Sequence, residues 1–292
     1  MTDPRAVICG ASGFLGQAIA AALREDGYRV ALIGRGPEVD AHWGDPPAIA
    51  EVISGAELVI NLAGKSVNAR YTDASRDTIL DSRVSTTREL REAVLSAERP
   101  PRLWMNASTA TIYRHAVDRP QTERTGDIGT GFSVNVAQEW ERELFAGDTP
   151  HTRRVALRLA IVLGDGAATR TLFNLARCGL GGTQYDGWWF PHRRYRGIGS
   201  QPTGTTAPRH RTRGRQRFSW IHIDDVIGAV RFIRDVPTLS GPINIVAPGA
   251  ADNRTLMATL RRVVGVRVGI PAARFMLEPA MWVLRTEPEL VM

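Results

Sequence analysis

Three glycines, Gly10, Gly13 and Gly16, follow a short apolar run, Ala6 to Cys9, and precede a helix-like run, Gln17 to Arg24. The chemistry open to such a stretch is that of the backbone. The first glycine allows a tight turn, the second a close approach by a pyrophosphate, and the third close packing of helix on strand. First-turn amides then face the anion, with the positive end of the helix dipole behind them. About 20 residues beyond the last glycine a dinucleotide site places Asp or Glu on a ribose 2′-hydroxyl; here the position holds Arg35. A guanidinium suits a 2′-phosphate, so Arg35 favours NADP over NAD, with a solvated loop arginine as the bland alternative.

Groups able to move a proton are sparse. Ser108 and Thr109 end the run Leu103 to Ala107, where a hydroxyl can bond a substrate oxygen or simply terminate a strand. Tyr113 is the nearest phenol, and a buried structural tyrosine is its stronger reading. His222, Asp224 and Asp225 open a helix; Asp224 suits its cap, which leaves His222 to face substrate. Lys65 is the only lysine of the chain, placed either near a cofactor or in solvent.

The elements that must position these groups alternate. Tyr28 to Ile33, Glu57 to Ile60, Leu103 to Ala107 and Val155 to Leu163 read as strands. Pro46 to Ser54, Arg76 to Ser96 and Phe132 to Phe145 read as helices, the long one carrying Leu80, Val84, Thr87, Leu90 and Val94 on one side. Strand–helix alternation entered at a glycine turn predicts an α/β fold, a Rossmann-type doubly wound parallel sheet whose ligands lie beyond the carboxyl ends of the strands. Asn61, at one such end, is free to tie neighbouring strands. Residues 1–166 form the dinucleotide-binding domain in this reading. Residues 167–292 form a small C-terminal α/β substrate lobe that shares part of the sheet, with helices over Thr169 to Cys178, Asp224 to Arg234, Asp252 to Val264 and Ala273 to Leu284 and strands over Phe218 to Ile221 and Pro242 to Val246.

With 292 residues, 43% hydrophobic and 23% charged, the chain is an ordinary globular protein. It starts without a basic leader or apolar h-region and holds no apolar run near the roughly 18 residues that span a bilayer, so a cytoplasmic location and no membrane partner are expected. Cys9 and Cys178 read as buried reduced thiols, with no metal site. The net charge of +7 is local. Eight arginines and no acids fall between Gly187 and Arg217, leaving 29 basic against 30 acidic residues elsewhere.

Several blocks, GASGFLG, INLAGKSV, DSRVSTT, STATIY, QEWERE, RLAIVLGDG, CGLGG, FSWIHIDD and PINIVAP, reach in order from the N-terminus to about Gly249. Together they resemble the epimerase-family proteins of the atypical or extended short-chain dehydrogenase/reductase class, NAD-dependent epimerase/dehydratase-like proteins with an extra C-terminal domain of unknown function. The resemblance implies NADP as cofactor. It places Gly10, Ser12, Gly13, Phe14, Leu15 and Gly16 on the pyrophosphate, Arg35 on the 2′-phosphate, Leu62, Ala63 and Gly64 on the adenosine side, Arg83 against the cofactor and Val162 near the nicotinamide. It also implies that the C-terminal domain is shortened or truncated here. The superfamily's Tyr-x-x-x-Lys pair is missing: Phe132 and Val136 stand at the matching positions, and neither can carry a proton.

The basic loop 187–217 presents Arg193, Arg194, Arg196, Arg209, Arg211, Arg213, Arg215 and Arg217 beside Trp188, Trp189, Phe190 and Tyr195. Guanidinium forks with aromatic faces suit a phosphorylated, ring-bearing small molecule such as a nucleotide sugar; a solvated loop, and less readily a nucleic acid, lipid or protein partner, are the alternatives. Arg215, just before FSWIHIDD, is the arginine placed to enter the site. The expected activity is an NADP-dependent oxidoreductase or epimerase acting on a hydroxyl or carbonyl of an anionic small molecule, compatible with a homodimer. A protein that holds NADP for structure or redox sensing is the competing expectation.

Overall fold

A computed structural model describes residues 3–192, 195, 197 and 210–283. The first half alternates as expected: β1 (Arg5–Cys9), α1 (Phe14–Glu25), β2 (Arg29–Gly34), β3 (Ala41–His42), α2 (Pro46–Ile53), β4 (Leu58–Asn61), α3 (Asp73–Ser96), β5 (Leu103–Thr109), a 3₁₀ turn (Ala110–Ile112), α4 (Phe132–Phe145) and β6 (Arg153–Leu159). There follow β7 (Ile161–Leu163), α5 (Ala167–Arg177), β8 (Gln184–Tyr185), β9 (Arg217–Phe218), β10 (Trp220–His222), α6 (Ile223–Asp235) and β11 (Gly241–Ile245). The described chain closes with β12 (Ala251–Asp252), α7 (Asn253–Val263), β13 (Ala272–Ala273) and α8 (Arg274–Val283).

Seven strands pair in the order β11-β6-β5-β4-β1-β2-β3, all parallel. Strands such as VIC and LVI are apolar on both faces because both faces are covered. On one side Ala6, Ile8, Leu58, Ile60, Met105 and Leu157 meet Ile19 and Leu23 of α1 and Val226, Val230 and Ile233 of α6. On the other Val7, Cys9, Val59, Trp104 and Ala156 meet Ile49 and Ile53 of α2, Leu90 and Val94 of α3 and Leu144 of α4. Each such aliphatic side chain, fully buried, contributes about 1.5–3 kcal/mol. The doubly wound sheet thus follows from the alternation.

Three strand assignments change. Phe218 to Ile221, expected as one strand, divides at Ser219 into β9, which pairs with β12, and β10, which pairs with β7. The run expected as one strand, Val155 to Leu163, divides at Ala160: β6 stays in the large sheet, while β7 leaves it to pair with β10. The division has a hydrogen-bond cause, since Ala160 N still donates to Ile245 O of β11 whereas Ile161 N donates to Ser219 O ahead of β10. The segment expected as Pro242 to Val246 in the smaller lobe is β11, an edge strand of the large sheet paired with β6. The smaller lobe therefore rests on two-stranded pairs, β10–β7, β12–β9 and β13–β8, and on a core of Ala176, Met257 and Leu260 between α5 and α7. Asp252 caps α7 by accepting from Thr255 N at 2.7 Å. Cys9 is buried, but Cys178, expected to be buried too, is exposed at the end of α5, where the helix has run out of core to cover. Among the described residues no helix is long and apolar enough to cross a membrane.

The strand-end cleft and candidate dinucleotide site

The glycine turn joins β1 to α1 at the carboxyl edge of the sheet. Gly10 has φ +82°, and a Cβ there would lie 2.9 Å from Ala63 N and from the Leu62 carbonyl. A Cβ on Gly16 would lie 2.5 Å from Gly10 O. These two glycines are demanded by the chain itself. Gly13 is different: its nearest neighbour would be Gly10 O at an ordinary 3.5 Å. Gly13 is the N-cap of α1, makes no side-chain cap and is followed by no acid in the first turn. The amides of Phe14 and Leu15 consequently open onto a bare, positively polarised helix end, a fit for a pyrophosphate. Phe14 turns its ring under Gly164 and Gly166, which ties the turn to the segment after β7. Ser12 lies exposed beside it, its carbonyl accepting from Gln17 Nε2 at 3.4 Å.

Around this turn the other sequence candidates assemble. Arg35 follows the end of β2 and is exposed; the nearby carboxylate of Asp40 is occupied by Leu32 N at 2.7 Å. Leu62 and Ala63 pack behind Gly10, and Asn61 ties strands as expected, donating to Asn106 Oδ1 at 2.8 Å and accepting from Ala63 N at 3.0 Å. Gly64 lies under the Arg83 guanidinium, whose Nη1 donates to Lys65 O at 3.0 Å and Ile79 O at 2.9 Å and which stands 5.0 Å from the Trp140 ring. Burial pulls the Arg83 pKa down to about 10, so it stays charged at neutral pH. Lys65 is exposed.

Beyond β5 the site is a row of side chains. Ser108, Arg158 and Asn244 are register partners across β5, β6 and β11. Ser108 Oγ donates to Glu141 Oε1 of α4 at 2.6 Å, and Arg158 holds the same carboxylate through Nε at 2.8 Å and Nη2 at 2.7 Å. Arg158 Nη1 also donates to the Tyr113 hydroxyl at 2.7 Å, and that hydroxyl donates to Asn244 Oδ1 at 2.8 Å. Burial works against the Arg158 charge, but the Glu141 carboxylate outweighs it and leaves the pKa raised. The hydroxyls of Ser108 and Tyr113 are thus tied into a buried network. Thr109, half-buried, hydrogen-bonds Thr111 Oγ1 at 3.0 Å, and its Oγ1 accepts from Thr111 N at 3.2 Å, capping the 3₁₀ turn.

The position matching the superfamily's tyrosine and lysine is an apolar cluster. Phe132 and Val136 pack with Tyr71 and Ile79, with the Tyr71 ring edge-on to Phe132 at 4.6 Å and the Arg76 guanidinium 4.9 Å from the Phe132 ring. Val162, in β7, pairs with Ile221. His222, rather than Asp224, caps α6: its Nδ1 accepts from Asp224 N at 3.3 Å, because β10 ends directly on it. Arg215 is exposed in the turn before β9. Arg193, Arg194, Arg196 and Arg209 lie outside the described residues. Glu141, Arg158, Asn244 and Asn106 belong to the hydrogen-bonded network at the candidate site and were passed over by motif reading. An arginine in the middle of VALRLAIVL was the available signal, since a charge in a buried strand requires a partner.

A family model for the NAD dependent epimerase/dehydratase family matches residues 6–245, from the first strand to the last strand of the large sheet. The chain belongs to that family. Among curated relatives of this epimerase family, YfhF of Bacillus subtilis is 26% identical over 280 residues, covering 93% of this chain and 84% of its own. Human SDR39U1 is 28% identical over 272 residues, covering 91% and 83%. The crystal structure of human SDR39U1 (isoform 2) with NADPH superposes with a TM-score of 0.76 at 26% identity, over 98% of this chain and 92% of that one. The fold is that of an NAD(P)-binding epimerase.

Proposed function

We propose that this epimerase-family chain binds NADP(H) in the glycine turn and acts as an oxidoreductase or epimerase on a hydroxyl or carbonyl of a phosphorylated or nucleotide-linked small molecule. The observation that carries the reading is Gly13. It is the one glycine of the three that no protein atom crowds, at the bare end of α1. Gly10, Ser12, Phe14, Leu15 and Gly16 would complete the pyrophosphate seat and Arg35 would meet the 2′-phosphate, in keeping with the NADPH of the human relative. Leu62, Ala63 and Gly64 would line the adenosine side, with Arg83 and Val162 further along the cleft. When bound, the cofactor supplies the hydride.

With Ser108 and Tyr113 tied to Glu141 and Asn244, Thr109, half-buried and bonded locally to Thr111, would offer its hydroxyl at the strand end to a substrate oxygen. Arg215 and His222 would meet the anionic part of the substrate. A second reading, NADP(H) held for structure or sensing without turnover, is favoured by the apolar cluster of Phe132 and Val136. Thermal unfolding separates the cofactor question: NADPH should raise the Tm more than NADH does, and Arg35→Asp should remove the difference. Absorbance of NADPH with a panel of carbonyl compounds separates the two readings. Oxidation that Thr109→Ala slows supports turnover. A Tm rise with no compound oxidising NADPH supports the second reading.

A further inference from the structure

His115 and His210 are brought together from different lobes. His115 lies two residues past Tyr113, on the loop that leaves β5; His210 comes just before the turn that leads into β9. Their rings stack with centroids 3.9 Å apart and planes 18° apart, and both residues are half-buried. The ribbon that begins at His210 is held firmly on its own lobe. Thr212 N donates to both carboxylate oxygens of Asp186 at 3.0 Å, Thr212 Oγ1 donates to Gln216 Oε1 at 2.8 Å, and Gln216 Nε2 donates to Gln184 O at 2.9 Å. At its bend Arg213 adopts φ 55°, unusual for a residue with a side chain, followed by Gly214 at φ 83°. Arg211, Arg213, Arg215 and Arg217 project from this ribbon and are exposed.

We propose that the His115–His210 ring pair is a positioning contact that registers the arginine-bearing ribbon 210–217 against the strand-end loop 113–115. The inference rests on the reading of the strand ends as the site. Parallel stacking at this distance serves two neutral imidazoles and opposes two imidazolium ions. His115 Nε2 is buried without a hydrogen-bond partner, so a proton placed there would meet no acceptor. The charged groups facing the pair are Arg114 on the loop of His115, Asp186 after β8 and Arg274 at the start of α8. Burial lowers both imidazole pKa values; His115 adds to the effect on His210, Arg114 and Arg274 push the same way, and Asp186 opposes. A depressed imidazole pKa means the contact is fully present above the ordinary histidine value of about 6.5 and is lost as pH falls through the lowered folded value.

Hydrogen exchange of the full chain tests this in a series from about pH 7.5 down to about pH 4, which starts above the ordinary histidine value and descends through the lowered range, with rates corrected for the intrinsic pH effect. In the wild type, amides of 210–217 and 113–116 should exchange at least about tenfold faster at the acid end, while those of β1, β4 and β5 hold. His115→Phe with His210→Phe keeps two stacked rings without a titrating nitrogen, and should stay protected throughout the series. His115→Ala should expose the ribbon at every pH. Equal wild-type protection across the series, acid loss in the double phenylalanine variant, or a protected ribbon in His115→Ala would each overturn the proposal. The NADPH-induced Tm shift of the same preparations reports on the cofactor seat separately, so failure of one reading is distinguishable from failure of the other.

Discussion

Where the glycine turn meets β4, the atoms that fix the geometry are main-chain atoms: Gly10 against Leu62 and Ala63, Gly16 against Gly10 O. Where β6 lies between β5 and β11, they are side chains: Ser108, Glu141, Arg158, Tyr113 and Asn244. A main-chain seat tolerates almost any sequence around its glycines and recognises a ligand common to many proteins. A side-chain network is specific to its own members and fails when one is removed. On the proposed function the first region would hold something generic, while the second holds a local shape beside it.

The contrast breaks most visibly at Glu141. Removing its carboxylate in Glu141→Ala strands the buried Arg158 guanidinium, and denaturant unfolding should show a loss of about 3–5 kcal/mol. Glu143→Ala, whose partners Arg88 and Arg91 are more exposed, should cost about 1 kcal/mol or less in the same measurement. Next come the glycines. Gly16→Ala drives a methyl into Gly10 O and should destabilise the protein without ligand by about 2 kcal/mol. Gly13→Ala should leave that stability within about 0.5 kcal/mol while weakening NADPH binding, read by titration, at least about tenfold. Equal effects of the two substitutions on the ligand-free protein would erase the distinction between chain-required and ligand-required glycines.

Ser108→Ala removes one of three hydrogen bonds to Glu141 and should cost about 1 kcal/mol, a smaller loss because Arg158 still satisfies the carboxylate. The smallest effect is expected far from the cleft. Asp26, at the end of α1, accepts from Arg231 and Arg234 of α6, and these hydrogen bonds lower its pKa. A lowered folded-state value means the contribution is present above the ordinary carboxylate range and disappears as pH falls through the folded value. Asp26→Asn should therefore cost under about 1 kcal/mol near neutrality, with the difference from wild type vanishing in acid unfolding experiments.

What could be read from the residues divides along the same line. The glycine turn and the alternation of strands and helices depend on local pattern, and local pattern is visible in a sequence. The division of Val155 to Leu163 was hidden because Ala160 and Ile161 differ only in which distant carbonyl they meet, Ile245 or Ser219. The cap on α6 was hidden for a similar reason, since His222 wins the place from Asp224 only because β10 ends on it. Phe132 and Val136 were recognisable as unable to carry a proton, yet nothing in their spacing announced Tyr71 and Arg76 as their neighbours. The stacked histidines are 95 residues apart and no periodicity connects them.

Because β11 is the outermost strand on one side of the large sheet and is made from residues Gly241–Ile245, the sheet cannot be finished while the chain is still emerging from the ribosome at residue 240. Until then the nascent protein carries an open β6 edge, with unpaired amides and carbonyls, and an Arg158 that lacks Asn244 on its flank. That edge stays uncovered until residues 241–245 are available to pair with it, so the sheet is completed late in the order of the chain.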